Sequence, residues 1–326
     1  MTIDRRSLLA ASLAAVPARA AAQAFQPLPA PETIYLWPGR DGPGLTNAAL
    51  AETVEDRSKD PARPDRAVWN VRQPRIDAYR PATSNGAAML VMPGGGYTRL
   101  SSDNEGREQA RWLTARGITV FVLTYRLPSE GWRDPANTPL ADAQRAMRLI
   151  RANAGRFGID PTRIGAMGFS AGGHLCADLA TRFGRAVYAP IDAADRLSAR
   201  PTIAAPIYPV VSMEEDLAHA GSRAKLIGAD ATDTMVIEHS TDRQVTRDTP
   251  PLFLVHAEDD ATVKVANSLT LHAAARAVGV PVEMHLFEKG GHGFGWGRRT
   301  TGLPVHLWPE LFLLWAKGRL LPETPK

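Results

Sequence analysis

Cysteine is nearly absent from this chain, because Cys176 is the single one among 326 residues. One cysteine forms no disulfide within a chain, and it excludes a multi-cysteine zinc cluster. No run of eighteen apolar residues occurs, so we expect nothing to span a membrane once a leader is removed. Lys and Arg number 38 against 34 Asp and Glu, without a basic block that carries interleaved aromatic residues. The sequence therefore also lacks the clustered basic residues that are typical of a nucleic-acid-binding surface.

The N-terminal segment has the order of a secretory signal. Arg5 and Arg6 precede an apolar run, Leu8 to Val16, and small residues follow as far as Ala24. The segment Asp4-Arg5-Arg6-Ser7-Leu8-Leu9 also looks like a twin-arginine signal. We therefore expect residues 1–24 to be a removable leader and the mature protein to be periplasmic or secreted.

The rest of the chain has the composition of a folded protein, since 44% of all residues are hydrophobic and 22% are charged. This content excludes disorder as the main state, and we expect residues 25–326 to form a single domain. The stretch from Pro27 to Pro81 is rich in proline and predicts irregular edge structure with short strand-like pieces, such as Thr33 to Leu36 and Val68 to Val71.

Strand-like and helix-like patterns alternate after residue 86. The predicted strands are Ala87–Met92, Ile118–Thr124, Ile164–Met167, Ile203–Ile207, Leu252–Val255 and Val282–Phe287. Helical patterns stand between them and after Pro309. One runs from Glu105 to Arg116, and the next is expected to have Thr138 as its N-cap and Pro139 at its first helical position. Such alternation is typical of βαβ crossovers and predicts the α/β class, with a mainly parallel central sheet and helices on both faces. Residues 212–249 interrupt it and predict a small insertion between late strands, where a cap or lid would sit.

The segment Gly168-Phe169-Ser170-Ala171-Gly172 matches the G-x-S-x-G pattern of a nucleophile elbow. In this turn a strand ends, a helix begins, and a serine is held between them. An apolar strand pattern precedes the motif here and a helical pattern follows it. The context therefore favours Ser170 as a nucleophile over a serine in an ordinary tight turn.

A serine hydroxyl needs a base within hydrogen-bond reach and an acid that orients the base. His292 is the candidate base, because it lies in a glycine-rich loop after the last predicted strand. Asp260 is the candidate acid from its spacing after the preceding strand, and the adjacent Asp259 is the alternative. Both segments follow strands at the carboxyl edge of a parallel sheet, where ligands bind.

The remaining histidines offer weaker candidates. His174 lies on the helix after Ser170 and is expected to pack, and His256 is expected to form structural hydrogen bonds at a strand end. His219 and His239 fall in the insertion, where either a substrate contact or a solvated surface fits the sequence.

Backbone N–H groups are needed near the nucleophile, because negative charge develops on the carbonyl oxygen during acyl transfer. Ala171, the residue after the serine, is expected to supply one of them. The others are expected from the loop that contains Gly94, Gly95 and Gly96. This glycine run lacks the Lys-Ser/Thr ending of a phosphate-binding loop, which argues against nucleotide binding.

Taken together, these residues resemble bacterial α/β-hydrolase esterases, in particular the group labelled acetylxylan esterase or promiscuous feruloyl esterase. Four segments carry the resemblance: Ile34-Tyr35-Leu36-Trp37-Pro38-Gly39, Met92-Pro93-Gly94-Gly95-Gly96-Tyr97, Gly168-Phe169-Ser170-Ala171-Gly172-Gly173-His174, and the Asp260 and His292 segments. Pro93 departs from the histidine that many lipase-type relatives have before the glycines. The resemblance implies the α/β-hydrolase fold, with Gly95 and Gly96 as the loop donors and Gly94 as a turn former.

The resulting expectation is a serine esterase that cleaves short acyl groups, acetyl above all, from xylan or other carbohydrates. It would act on a small ester or an acylated oligosaccharide and use neither a metal nor an organic cofactor. Trp132 and Trp296 would either stack on a sugar or pack in the core. Two rivals are a prolyl-oligopeptidase-type serine peptidase, for which the chain is too short, and a non-catalytic binding protein on the same scaffold.

Overall fold

The computed structural model describes residues 28–61, 63–296 and 300–321. The expected leader at residues 1–24 lies outside the described residues.

An eight-stranded sheet forms the centre of the molecule. Numbered in chain order and given in spatial order, its strands are β1 (Glu32–Tyr35), β4 (Arg75–Tyr79), β7 (Thr119–Thr124), β5 (Ala88–Met92), β8 (Ile164–Phe169), β9 (Ala204–Ile207), β10 (Leu252–Ala257) and β11 (Val282–Phe287). The six strands from β7 to β11 are parallel, and β4 pairs antiparallel with both of its neighbours. The inner strands are buried throughout, which is why they appear in the sequence as continuous apolar runs.

Helices cover both faces of this sheet. They are α1 (Glu108–Thr114), α2 (Thr138–Ala152), α3 (Ala154–Phe157), α4 (Ala171–Arg182), α5 (Ala220–Leu226), α6 (Asp233–His239), α7 (Ala266–Ala277) and α8 (Trp308–Ala316). One core cluster contains Leu140 of α2 and Leu175 of α4, and a separate one contains Leu113 of α1 and Phe312 of α8. The mainly parallel sheet with helices on two faces is thus confirmed. No helix within the described ranges is long and apolar enough to cross a bilayer.

The N-terminal part is more regular than its sequence suggests. Within the stretch expected to be irregular, β1 and β4 complete the central sheet, while β2 (Thr53–Asp56) and β3 (Arg66–Trp69) join β6 (Leu100–Ser101) in a second, antiparallel sheet. These strands are short and partly exposed, and long-range pairing stabilises them rather than local apolar runs.

Helix starts also differ from the sequence pattern. The helix expected from residue 105 begins instead with a π-helical turn, Asp103–Arg107, and continues as α1. The cap of α2 is Asn137, so that Pro139 stands one position later than expected.

The predicted insertion lies between β9 and β10 and contains α5, α6 and a 3₁₀ turn, Thr241–Gln244. Its base is attached to the core by Asn267 of α7. The side-chain oxygen of Asn267 accepts hydrogen bonds from the N–H groups of Val211 and Ser212, at 2.9 and 3.1 Å.

Candidate active site

Ser170 stands in the turn between β8 and α4 with φ +55° and ψ −118°. A non-glycine residue rarely adopts a positive φ. The turn is possible here because the neighbouring glycines have no side chains that would clash with the backbone. A Cβ on Gly172 would lie 2.2 Å from the carbonyl oxygen of Met92, and one on Gly168 would lie 2.0 Å from the carbonyl oxygen of Gly172. Glycine at both positions therefore lets the elbow form.

A chain of hydrogen bonds joins Ser170, His292 and Asp260. The Ser170 Oγ lies 2.8 Å from Nε2 of His292, whose Nδ1 lies 2.6 Å from Oδ2 of Asp260. Because an ionised carboxylate can only accept, Nδ1 of His292 carries the proton and Nε2 is free to accept the serine hydroxyl. The structure brings together three side chains that are up to 122 residues apart in the chain.

The acid is fixed by its surroundings. Oδ1 of Asp260 accepts the N–H groups of Thr262 and Val263, each at 2.9 Å. Burial alone would raise the pKa of Asp260, but hydrogen bonds from His256 and His292 hold it well below its usual range. The carboxylate is therefore ionised and oriented toward the imidazole.

Asp259, the alternative acid, points elsewhere. Its Oδ1 accepts the N–H groups of Gly290 and Gly291, at 2.9 and 2.8 Å. Asp259 thus shapes the loop that carries His292 without contacting the imidazole.

The glycine loop after β5 faces the start of α4. Ala171 is the first residue of α4, where a helix leaves its N–H groups without partners. Gly94 is different, because its N–H donates to the Glu105 carboxylate at 2.8 Å. Among the described residues, no acceptor takes the N–H of Gly95 or Gly96.

Two histidines have structural bonds near the site. His174 is buried, with Nδ1 at 2.8 Å from the Tyr97 hydroxyl and Nε2 at 2.7 Å from the His239 carbonyl oxygen. His256 is buried too, and its Nε2 lies 3.0 Å from the Val263 carbonyl oxygen and 3.2 Å from the Asp260 carboxylate. The structural role expected for His256 therefore extends to holding the candidate acid.

His219 reaches the site from the insertion. Its ring is half-buried, and Cε1 lies 3.9 Å from the point where a Cβ on Gly96 would be. Burial lowers the pKa of His219, and the nearby His292 adds to this effect. Of the two readings open from the sequence, the structure favours a position beside the site over a fully solvated surface.

Sequence reasoning missed Glu105 and Tyr208. Both are buried below the glycine loop, and their side chains are hydrogen-bonded to each other at 2.8 Å. The position of Tyr208 gives a partial signal, since this residue directly follows β9 at the same sheet edge as Ser170. Glu105 lies in a polar helical segment, and nothing in the surrounding sequence indicates its role.

The two tryptophans considered as sugar platforms differ in exposure. Trp132 is buried, donates from Nε1 to the Leu127 carbonyl oxygen, and packs against the Arg126 guanidinium at 4.8 Å. Trp296 is partly exposed and packs on Trp112, with ring centroids 4.1 Å apart. Trp132 therefore belongs to the core and offers no free face to a ligand.

Within the described part of the chain, no group of three or more His, Cys, Asp or Glu side chains is arranged to hold a metal ion.

Several known proteins are similar to this chain. The acetylxylan esterase of Xylanibacter ruminicola is 33% identical over 223 residues, which are 67% of this chain and 43% of that protein. The endo-1,4-beta-xylanase B of Butyrivibrio fibrisolvens is 38% identical over 205 residues, 63% of this chain and 32% of that protein. The chain thus spans less than half the length of these curated relatives.

A solved structure covers more of the chain. The acetyl ester-xyloside bifunctional hydrolase from Caldicellulosiruptor lactoaceticus is 35% identical, with a TM-score of 0.70 over 89% of this chain and 96% of that one. The family described as BD-FAE matches residues 76–275, which include the elbow, the glycine loop, the insertion and Asp260. With a match over more than half of its length, this α/β-hydrolase-fold chain belongs to the BD-FAE family.

Proposed function

We propose that this protein is a serine carboxylesterase that removes short acyl groups, acetyl above all, from xylan or related carbohydrates through an acyl-enzyme. The observation that carries the proposal is the continuous hydrogen-bond chain from Ser170 through His292 to Asp260, at 2.8 and 2.6 Å, in a chain of the BD-FAE family.

In the acylation step, Ser170 Oγ attacks the ester carbonyl carbon and its proton passes to Nε2 of His292. Asp260 stabilises the imidazolium that forms, because its carboxylate already accepts the proton on Nδ1. The N–H groups of Gly95, Gly96 and Ala171 bind the oxyanion. When the intermediate collapses, the C–O bond to the alcohol breaks and the alcohol leaves with the proton from His292.

Deacylation repeats these steps with water. His292 accepts a proton from the water molecule, whose oxygen attacks the acyl carbon, and then returns that proton to Ser170 Oγ as the acid leaves. The chemistry needs no metal and no organic cofactor.

The names of the relatives support the ester class and the carbohydrate. One relative is named an acetylxylan esterase and another an acetyl ester-xyloside hydrolase, so both names refer to acetyl esters and to xylose-containing compounds. Because these relatives are named as esterases and ester hydrolases, a serine peptidase of the prolyl-oligopeptidase type is disfavoured. The hydrogen-bonded Ser170, His292 and Asp260 disfavour a non-catalytic binding role.

The test is Ser170→Ala with acetylated xylo-oligosaccharides, p-nitrophenyl acetate, p-nitrophenyl butyrate and a proline-containing peptide as substrates. We expect ester turnover to fall about 10⁴-fold or more, since the remaining groups supply only binding and oxyanion stabilisation. Ser84→Ala, at an exposed serine, serves as the control and is expected to retain full activity. Retained esterase activity in Ser170→Ala, or faster cleavage of the peptide than of the esters, would contradict the proposal.

We also propose that residues 1–24 direct export. The support is their order of paired arginines, apolar run and small residues. Fractionation of expressing cells is expected to recover the enzyme, shortened at its N-terminus, from the periplasm or the medium. A full-length product confined to the cytoplasm would contradict it.

A further inference from the structure

Glu105 is a buried acid that the proposed acyl transfer does not use. It lies in the π-helical turn Asp103–Arg107 and is only 4% exposed. Among the described residues, no Lys or Arg forms an ion pair with it. A buried carboxylate without a cation is costly unless hydrogen bonds compensate for the loss of water. Its hydrogen bonds should therefore serve a purpose other than packing.

Each oxygen of Glu105 accepts one hydrogen bond. Oε2 accepts the N–H of Gly94 at 2.8 Å, and Oε1 accepts the hydroxyl of Tyr208 at 2.8 Å. Two donors and no donated bond are the pattern of an ionised carboxylate. Burial raises the pKa of Glu105, and these two hydrogen bonds oppose the rise.

Tyr208 extends this contact to the histidine loop. It directly follows β9, has a φ of +37° and is completely buried. Its hydroxyl oxygen accepts the N–H of Gly295 at 2.9 Å, and its ring packs against the ring of His292, with centroids 5.1 Å apart. The hydroxyl thus accepts one hydrogen bond from the histidine loop and donates one to Glu105.

The neighbouring Asn104 makes a parallel link, because its Nδ2 donates to the Gly293 carbonyl oxygen at 3.3 Å. The turn Asp103–Arg107 therefore contacts both the glycine loop, at Gly94, and the loop that carries His292, at Gly293. The turn is π-helical, a geometry that is rare in proteins and frequent at functional sites.

We propose that Glu105 is a positioning residue which, through Tyr208, sets the glycine loop and the His292 loop against each other in the geometry that acyl transfer needs. By taking the N–H of Gly94, the carboxylate leaves the next two N–H groups free to point at the substrate. By holding the Tyr208 hydroxyl, it fixes Gly295 and the approach of the imidazole to Ser170. The inference rests on the proposed esterase function.

Glu105→Gln tests this role with little change in volume. The amide oxygen of the glutamine can still accept the Gly94 N–H. Its NH₂ group then faces Tyr208, so the tyrosine hydroxyl loses the acceptor of its hydrogen bond. We expect kcat for p-nitrophenyl acetate to fall about tenfold to hundredfold, with KM changed less than about threefold, because an oxyanion donor that is lost costs about 10² to 10³ in kcat and these donors are only displaced. Tyr208→Phe is expected to act in the same direction.

The double variant distinguishes one connected unit from two independent contacts. If Glu105 acts through Tyr208, the double variant loses about as much as the worse single variant and far less than the product of both losses. Independent, multiplying losses would overturn the inference.

Glu130→Gln is the matched control. Glu130 is partly buried and also accepts two backbone N–H groups, those of Asn70 and Val71, and burial raises its pKa as well. Its partners lie in the N-terminal region rather than at the sheet edge that carries Ser170. We expect this variant to lose stability to a similar extent as Glu105→Gln while retaining the kcat of the unaltered enzyme.

Titration with a phosphonate ester, which labels an activated serine, separates the outcomes. Rates are divided by the number of labelled sites, so that unfolded molecules do not count. An unaltered enzyme that neither reacts with the phosphonate nor cleaves esters would overturn the proposed function and the inference with it. A labelled unaltered enzyme together with an unchanged kcat per labelled site in Glu105→Gln would overturn the inference alone.

Discussion

At the scale of single residues, the nucleophile owes its conformation to its neighbours. Ser170 holds a backbone conformation that costs about 1 to 3 kcal/mol in an isolated chain. Its N–H donates to the Ile207 carbonyl oxygen at 3.1 Å, and its own carbonyl oxygen accepts the N–H groups of His174 and Val210, at 3.0 and 3.1 Å. Hydrogen bonds on both sides of the residue therefore offset the strain and keep the hydroxyl in one place.

His219 illustrates how one side chain can be prepared for a ligand. It caps α5, with Nδ1 accepting the N–H of Ser222 at 3.2 Å, so the proton of the neutral ring is on Nε2. No acceptor for that Nε2 proton occurs among the residues with assigned positions. With Cε1 beside Gly96, we predict that the Nε2–H donates to a hydroxyl on the alcohol part of the proposed carbohydrate ester.

His219→Asn should keep the cap of α5, since asparagine is a good N-cap residue. The shorter side chain removes the Nε2–H donor of the imidazole. We expect KM for acetylated xylo-oligosaccharides to rise about fivefold, which corresponds to one hydrogen bond of about 1 kcal/mol. Hydrolysis of p-nitrophenyl acetate, whose alcohol part has no sugar hydroxyl, should not change. Steady-state kinetics on the two substrates measure this, and an equal effect on both would argue against a contact to the sugar.

At the scale of elements, the sequence is most informative where burial is complete. Strands β5, β8 and β10 are buried on both faces, so each forms an apolar run that ends next to a site residue. Ser170 and Asp260 could be selected because they follow such strands, whereas His292 follows the partly exposed β11 and could be selected from its glycine-rich loop. The short strand β4 could not, since its partners β1 and β7 are distant in the chain. Neither could β2, whose four residues are mixed and mostly exposed.

The same reasoning explains which site residues remain hidden. Helical spacing identifies α1, but nothing in a polar segment distinguishes Glu105, which is turned inward, from Glu108, which pairs with Arg111 near the surface. The inward direction follows from the π-helical turn, and that turn depends on contacts such as Asp103 with Arg66 of β3. Only the assembled fold therefore reveals the acid below the glycine loop.

At the scale of the whole molecule, the buried ring of His174 links the insertion to the core. His174 of α4 joins Tyr97 of the glycine loop to the main chain of His239 in α6. Burial lowers the pKa of His174, and it lowers the pKa of His239 to about 4. Asp178 opposes the shift at His239, whereas Arg182 and His174 add to it. Protonation of these rings therefore disfavours the folded state.

The sign of the pH effect follows from these directions. In the unfolded chain both rings bind a proton near pH 6.5, whereas in the folded protein His239 stays neutral down to about pH 4. Above pH 6.5 they are neutral in both states and contribute no pH dependence. The free energy of unfolding should fall as the pH drops from 6.5 to 4, by up to about 3 kcal/mol from His239.

His239→Asn removes this titratable ring and leaves the main-chain acceptor for His174 in place. Urea unfolding of Ser170→Ala and of Ser170→Ala/His239→Asn at pH 7.5 and pH 4.5 measures the difference without interference from catalysis. We expect the double variant to lose less stability between the two pH values, by about 1 to 3 kcal/mol. Glu105 acts in the opposite direction, because burial raises its pKa and the folded state gains from its protonation at low pH. An identical pH dependence in the two proteins would mean that the His239 ring is not held neutral by burial in the folded protein.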